Sequence, residues 1–208
     1  MDRRRLVPLT ACAALALAGC NPMDQALDAY YGHKRKDLPI TYYLDASWSE
    51  EDETVIVGAF AEWDAELGPL VGAETVFIYG GRADDAAFLM DDLEDGRFTV
   101  YRVEPLTEEI EEMKAAAGYG DISGLAAGSD ILIFPGFFGT HHPSVDPRLA
   151  RLADLRHTAL HEAGHHLGLA HFTTEPAVMN PDWSLPHLKP ADLAEACVIY
   201  DCIRDSGD

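Results

Sequence analysis

Positive charge is scarce in this sequence: 15 Lys and Arg stand against 36 Asp and Glu, a formal net charge of -21 over 208 residues. That balance excludes a nucleic-acid partner, because proteins that bind phosphate backbones present a basic face that displaces counterions. An acidic surface gives solubility and a mild preference for cationic partners. Long apolar runs are missing too. The stretch from Leu6 to Leu17 falls short of the roughly 20 residues that cross about 30 Å of hydrocarbon. Cysteine is sparse, at positions 12, 20, 197 and 202, and neither internal repeats nor low-complexity tracts interrupt the chain. What remains, with 48% hydrophobic residues, is the composition of one globular domain with room for a sizeable core.

The first residues read as an address. Arg3, Arg4 and Arg5 precede the short apolar stretch, and Leu17-Ala18-Gly19-Cys20 closes it. This segment resembles the lipobox signal of bacterial lipoproteins, in which cleavage before the cysteine is followed by its acylation. The resemblance implies that residues 1–19 are removed, that Cys20 is lipidated and that the protein is anchored in the bacterial cell envelope. An ordinary secretory signal with a chance cysteine is the alternative. Anchoring by more than one acyl chain is stable, at about 0.8 kcal/mol per buried CH₂. Asn21, being no Asp, points to the outer membrane, facing the periplasm or the surface. Residues 20–38 then form the lipidated end and a tether, with a basic cluster at Lys34, Arg35 and Lys36. That cluster is either solvated or laid against anionic head groups.

Once Cys12 and Cys20 are accounted for, Cys197 and Cys202 are left, and in an oxidising envelope they can pair. Five residues apart, they are not aligned on a continuous helix. A disulfide therefore requires the helix to end near Tyr200, and closing so short a loop contributes about 2 kcal/mol.

Along residues 39–208 the pattern alternates. Ile40 to Leu44, Thr75 to Tyr79, Phe98 to Val103 and Ser129 to Phe134 are rich in β-branched and aromatic residues and read as strands. Ser49 with Asp52 starts a helix whose inner face is Ile56, Phe60, Trp63 and Leu67 and which stops at Gly68. Thr107 caps a short helix with Ile110, Met113 and Ala117 inside, ended by Gly118. Asp146-Pro147 opens what is expected to be the longest helix, with Leu149, Leu152, Ala159, Leu160 and Ala163 inward. Ala191 to Tyr200 closes the chain as a helix. The alternation predicts an α/β (α+β) domain. The acidic stretch Asp91 to Gly96 fails as an EF-hand, because Leu93 occupies a ligand position and Arg102 stands where the bidentate Glu would be. It is read as a solvated turn, with an irregular calcium site as the alternative, so that calcium stays open but unsupported.

The chemistry lies in residues 161–171, His-Glu-Ala-Gly-His-His-Leu-Gly-Leu-Ala-His. His161 and His165, four apart on a helix, share one face and can reach one metal ion. Gly168 tolerates the positive φ that ends the helix, so the chain can turn and return His171 to the same ion. Three neutral His leave zinc its full charge and one open position for water. Glu162 points at that water as general base; a structural zinc would have no use for it. His166 lies about 100° round from His165 and is read as structural or surface. His157, one turn before His161, is read as a helix-surface residue, with support of the metal site as the alternative. His141 and His142 are assigned to loop packing, with substrate contact or accessory metal binding as the lesser reading.

With Met179 eight residues beyond His171, the motif resembles the metzincin clan of zinc endopeptidases, matrixin branch. The resemblance is tight over 155–183 and loose over 39–203. It implies a zincin domain over residues 39–208, with a small twisted mixed sheet, an active-site helix, a backing helix and a C-terminal helix. It also implies one catalytic zinc held by His161, His165 and His171, Met179 as the apolar floor beneath the ligands, and Pro181 to His187 as the pocket wall. The expected substrate is a protein or peptide and the expected state a monomer. No room for a pro-segment is found between Cys20 and Pro39, no Tyr follows Met179 as a fifth ligand, and no second, structural zinc site is recognisable. Two other readings stay open: a zinc-binding envelope lipoprotein without activity, and a zinc amidase acting on cell-wall peptides. Glu162 favours catalysis over storage. The strand that would bind substrate is either 120–127 or 129–134.

Overall fold

The computed structural model describes residues 37–83, 96–104, 106–108, 110–112, 122–138, 146–172, 175–181 and 185–202. Five strands form one mixed sheet in the order β2-β1-β3-β5-β4: β1 (Ile40–Leu44), β2 (Phe77–Arg82), β3 (Phe98–Arg102), β4 (Gly124–Ala127) and β5 (Asp130–Ile133). β2, β1, β3 and β5 run parallel, and β4 returns antiparallel to β5 through Gly128 and Ser129. Packed with it among the described residues are the helices α1 (Glu50–Val71), α2 (Pro147–His166) and α3 (Pro190–Tyr200), with a short 3₁₀ turn at Pro135–Phe137. This is the α/β zincin architecture expected above. Among the described residues, no helix is long and apolar enough to cross a membrane.

Alternation along the strands splits the apolar residues between the two sheet faces. Tyr42, Leu44, Phe98, Val100, Ile131 and Ile133 join the main core under the helices, and Tyr101, Val103, Leu132 and Phe134 form a second cluster on the other side. In the main core the Tyr42 ring stacks on Phe60 of α1 with centroids 4.1 Å apart, and Phe77 meets Phe60 edge-on at 4.8 Å. Each such fully buried side chain contributes about 1.5–3 kcal/mol of transfer free energy. Trp63 of α1 donates from Nε1 to the Leu160 carbonyl of α2 at 3.0 Å, which fixes the backing helix against the helix of the motif.

Several elements depart from their sequence expectations. α1 does not stop at Gly68 but continues through Pro69 to Val71, and Gly72 takes the left-handed C-cap at φ 68°. At 22 residues it exceeds the 20-residue α2, which was expected to be the longest helix. β2 begins at Phe77 instead of Thr75, because the Asp64 carboxylate accepts from the Val76 and Phe77 N–H groups at 2.7 Å each and holds that end. On α2, Leu149 is 54% exposed and Leu152 half-buried. The inner stripe there is Ala150, Asp154, Leu155 and Thr158. Asp146 caps α2 by accepting from Arg148 N–H at 2.8 Å, and Ser49 caps α1 by accepting from Asp52 N–H at 3.1 Å. Met113, Ala117, Gly118, His141, His142 and the acidic stretch to Asp95 lie outside the described residues.

Cys197 and Cys202 form a disulfide, with α3 ending at Tyr200 between them. Asp201 adopts the left-handed conformation at φ 52°, which turns the chain back so that the two sulfurs meet.

Candidate metal centre

α2 carries His161, Glu162 and His165 on buried positions. The helix ends at His166, and Gly168 takes φ 95°, donating to the His165 carbonyl at 2.9 Å, while Leu169 N–H reaches the Gly164 carbonyl at 3.0 Å. The turn returns His171 to the helix. The three Nε2 atoms lie 3.0, 3.1 and 2.9 Å from one another.

The other ring nitrogens decide what those three atoms present. His161 Nδ1 lies 2.7 Å from the Val178 carbonyl and His165 Nδ1 lies 2.8 Å from the Leu169 carbonyl. A carbonyl only accepts, so both Nδ1 atoms carry the proton and both Nε2 atoms present lone pairs. Two lone pairs 3.1 Å apart repel unless a cation sits between them. Burial, then the neighbouring rings of His165 and His171, hold the His161 imidazole well below its ordinary range. Burial, then His171, pushes His165 down to about 3. Buried neutral imidazoles with convergent lone pairs are the donor set that suits zinc, whose Zn–N distance is about 2.0–2.1 Å. His161, His165 and His171 form the one cluster of metal-binding geometry among the described residues.

Glu162 is buried beside this triangle, and burial pushes its carboxyl up to about 8, opposed by the hydrogen bond it accepts from the Ala126 N–H. Ala126 belongs to β4, the outermost strand on that side of the sheet among the described residues. Of the two stretches the sequence offered, 130–133 is thus an interior strand and 124–127 the outer one beside the site. β4 also lies against α2 at Gly124, where a Cβ would stand 2.5 Å from Thr158 Cγ2 and 2.7 Å from Glu162 Oε1. Gly124→Ala therefore forces Glu162 to move while leaving the metal-binding triangle whole. Expected are a fall in peptide cleavage of roughly 10²-fold and zinc content equal to wild type; unchanged kinetics would show that Glu162 tolerates the push.

Met179 is fully buried in the turn after His171. Its sulfur packs on Gly164, where a Cβ would stand 2.3 Å from Sδ and 3.3 Å from Trp63 Cζ2. Gly164 went unassigned in the sequence, although a glycine inside a helix costs about 1 kcal/mol against Ala and so calls for a reason. Here the reason is Met179. Gly164→Ala gains helix propensity but overpacks this contact, so a net loss of about 1–3 kcal/mol is expected in chemical denaturation.

The turn itself is held from α3. Asp192, fully buried, accepts from Val178 N–H and Met179 N–H at 3.0 Å each and from Lys189 N–H at 2.8 Å. Tyr200 Oη donates to the Leu167 carbonyl at 3.0 Å, just before Gly168. α3 thus ties down both the end of α2 and the turn whose Val178 carbonyl orients His161. Asp192 was also missed in the sequence; the signal was its place two residues after the helix-opening Pro190, where an acidic side chain reaches back to the cap. Hydrogen bonds to a charged group contribute about 1.5–3 kcal/mol each. Asp192→Ala is expected to lower stability by more than about 3 kcal/mol and to weaken zinc retention, measured by urea unfolding and metal analysis; retained affinity would separate the turn from the metal site.

The remaining histidines divide. His166 is buried and stacks on Phe98, with centroids 3.6 Å apart, on the sheet side of α2 and away from the triangle. His157 is half-buried, and its Nδ1 meets the Leu185 backbone, so it is more than a helix-surface residue.

The family model described as matrixin, a peptidase family, matches residues 39–198, while neither the curated proteins nor the solved structures contain a significant match. That span runs from the cis Leu38-Pro39 bond into α3 and takes in every strand and all three histidines of the triangle. On sequence model, sheet and histidine cluster alike, the chain belongs to the matrixin family of metzincin zinc peptidases.

Proposed function

We propose that the protein is a zinc-dependent endopeptidase, anchored in the bacterial cell envelope through a lipidated Cys20, that hydrolyses peptide bonds with Glu162 as general base. The observation that carries this reading is the convergence of three Nε2 atoms within 3.1 Å beside a buried carboxylate on the same helix. His161, His165 and His171 would hold the ion. Zinc in such a site supplies Lewis acidity, lowering the pKa of bound water toward about 7 and polarising a carbonyl. Glu162 takes the proton of the attacking water and hands it to the leaving amine. β4, the outermost strand beside the site among the described residues, is the element against which an extended peptide would lie, as peptides do when they add to a sheet. Met179 supplies the apolar floor under the ligands.

The test is direct. The chain without residues 1–20 is loaded with zinc, its metal content measured, and a peptide library and muropeptides offered as substrates. One zinc per chain and cleavage within peptides support the reading; exclusive cleavage of muropeptides would reassign the protein as a cell-wall amidase. For the anchor, labelling cells with a fatty acid should mark the wild type and leave Cys20→Ala unlabelled.

A further inference from the structure

Beyond Met179 the chain comes back along the flank of α2, and three side chains from the two large helices are spent on its backbone. Arg156 donates from Nε to the Pro186 carbonyl at 2.8 Å. Glu62, on α1, accepts from Leu188 N–H at 2.7 Å. His157 Nδ1 faces both the carbonyl of Leu185, at 3.0 Å, and its N–H, at 3.2 Å, so the neutral ring bonds this residue in either tautomer. Two of the three are joined to each other and to the segment: Arg156 pairs with Glu62, whose side chain is only 14% exposed, and His187 Nδ1 lies 3.1 Å from the same carboxylate. Residues 185–188 belong to no helix or strand, so side chains supply the hydrogen bonds that a ladder would otherwise give.

The location gives these bonds their meaning. The His157 ring is 5.8 Å from the His161 ring, so Leu185 runs within one helical turn of the metal-binding triangle. On the other flank of α2 stands β4, in contact with Thr158 and Glu162. A peptide lying across His161 and Glu162 is therefore bounded by β4 on one side and by residues 185–188 on the other. A partly buried ion pair adds little net stability, because desolvation offsets its attraction, but it is directional and so fixes geometry.

We propose that Glu62, Arg156 and His157 are positioning residues: they clasp residues 185–188 against α2 beside His161 and thereby set which peptide side chains the site accepts. This role presupposes the peptidase activity proposed above. Glu62→Ala and Arg156→Met release the clasp from either helix; Glu62→Gln keeps an oxygen for the Leu188 N–H.

The zinc-loaded full-length chain in detergent is assayed on a peptide library, with zinc content and amide hydrogen exchange measured on the same samples. Expected for Glu62→Ala and Arg156→Met are one zinc per chain, a broadened cleavage profile and a rise in KM of roughly tenfold with kcat within about twofold. Glu62→Gln should restore most of the wild-type profile. A merely structural role would lower the active fraction and leave the profile and KM untouched, and that result overturns the proposal. If the wild type binds zinc and cuts nothing, the peptidase reading fails on its own, and with it the claim that the clasp selects substrate. Exchange then tells the two apart: loss of protection at Leu185 and Leu188 in the variants supports the clasp itself, and unchanged protection overturns that as well.

Discussion

Glu162→Ala is expected to lower peptide cleavage by about 10²- to 10⁴-fold, the range for loss of a general base, with one zinc still bound per chain. The separation follows from geometry. Glu162 is next to His161 in sequence but contributes no atom to the cluster of three Nε2 atoms, so its removal leaves the donor set complete. Nor should the variant unfold: burial disfavours the charged form of this carboxyl, and replacing a buried polar group by Ala removes its desolvation cost along with its hydrogen bond. The loss should appear in kcat and kcat/KM together, because the proton is taken only as the bond forms. Steady-state cleavage alongside metal analysis checks it. Residual activity within about tenfold of wild type would remove Glu162 from the chemistry and move the protein toward the storage reading.

Withdrawing the metal has the second large effect. Chelation should abolish cleavage and also lower the melting temperature, since an ion bound only by the folded state stabilises it by about 4 kcal/mol at a thousandfold excess over Kd. For a chain of this size that is a shift of roughly 10 °C. The direction follows from the lone pairs of His161 and His165, forced toward each other by the Val178 and Leu169 carbonyls. Without the ion that arrangement is a repulsion the fold must absorb. Acid should act as the chelator does, because protons compete for rings that bind metal only when neutral. His165→Ala should mimic chelation, whereas His166→Ala, one residue on, should keep the zinc while losing its stacking on Phe98. Unit zinc stoichiometry in His165→Ala, or full activity after exhaustive chelation, would defeat the three-histidine site.

Much of the site was legible because its rules are local. His161 and His165 share a face by helical period alone, and Gly168 marks the one place where a positive φ lets the chain turn back to His171. Ser49 and Asp146 announced their helices because a cap is a contact between neighbours in sequence. Strand and helix ends were read less well where distant groups decide them. β2 starts at Phe77 because Asp64, thirteen residues earlier, takes the N–H groups of Val76 and Phe77. α1 outruns Gly68 in spite of Pro69, and Gly72 in the left-handed conformation makes the cap.

The sequence by itself determined the three-histidine cluster, its spacing and the place of Glu162 beside it, since those depend on residue type and on the pitch of one helix. Tertiary structure alone decided what surrounds them. It made β4 the outer strand beside the site, put the Ala126 N–H on Glu162, set Met179 into the gap at Gly164, fastened the Met179 turn to Asp192, and brought Glu62 and His157 to the returning chain. Each is a contact between elements far apart in sequence, whose partner is chosen by how sheet and helices pack, and periodicity within a segment carries no record of that.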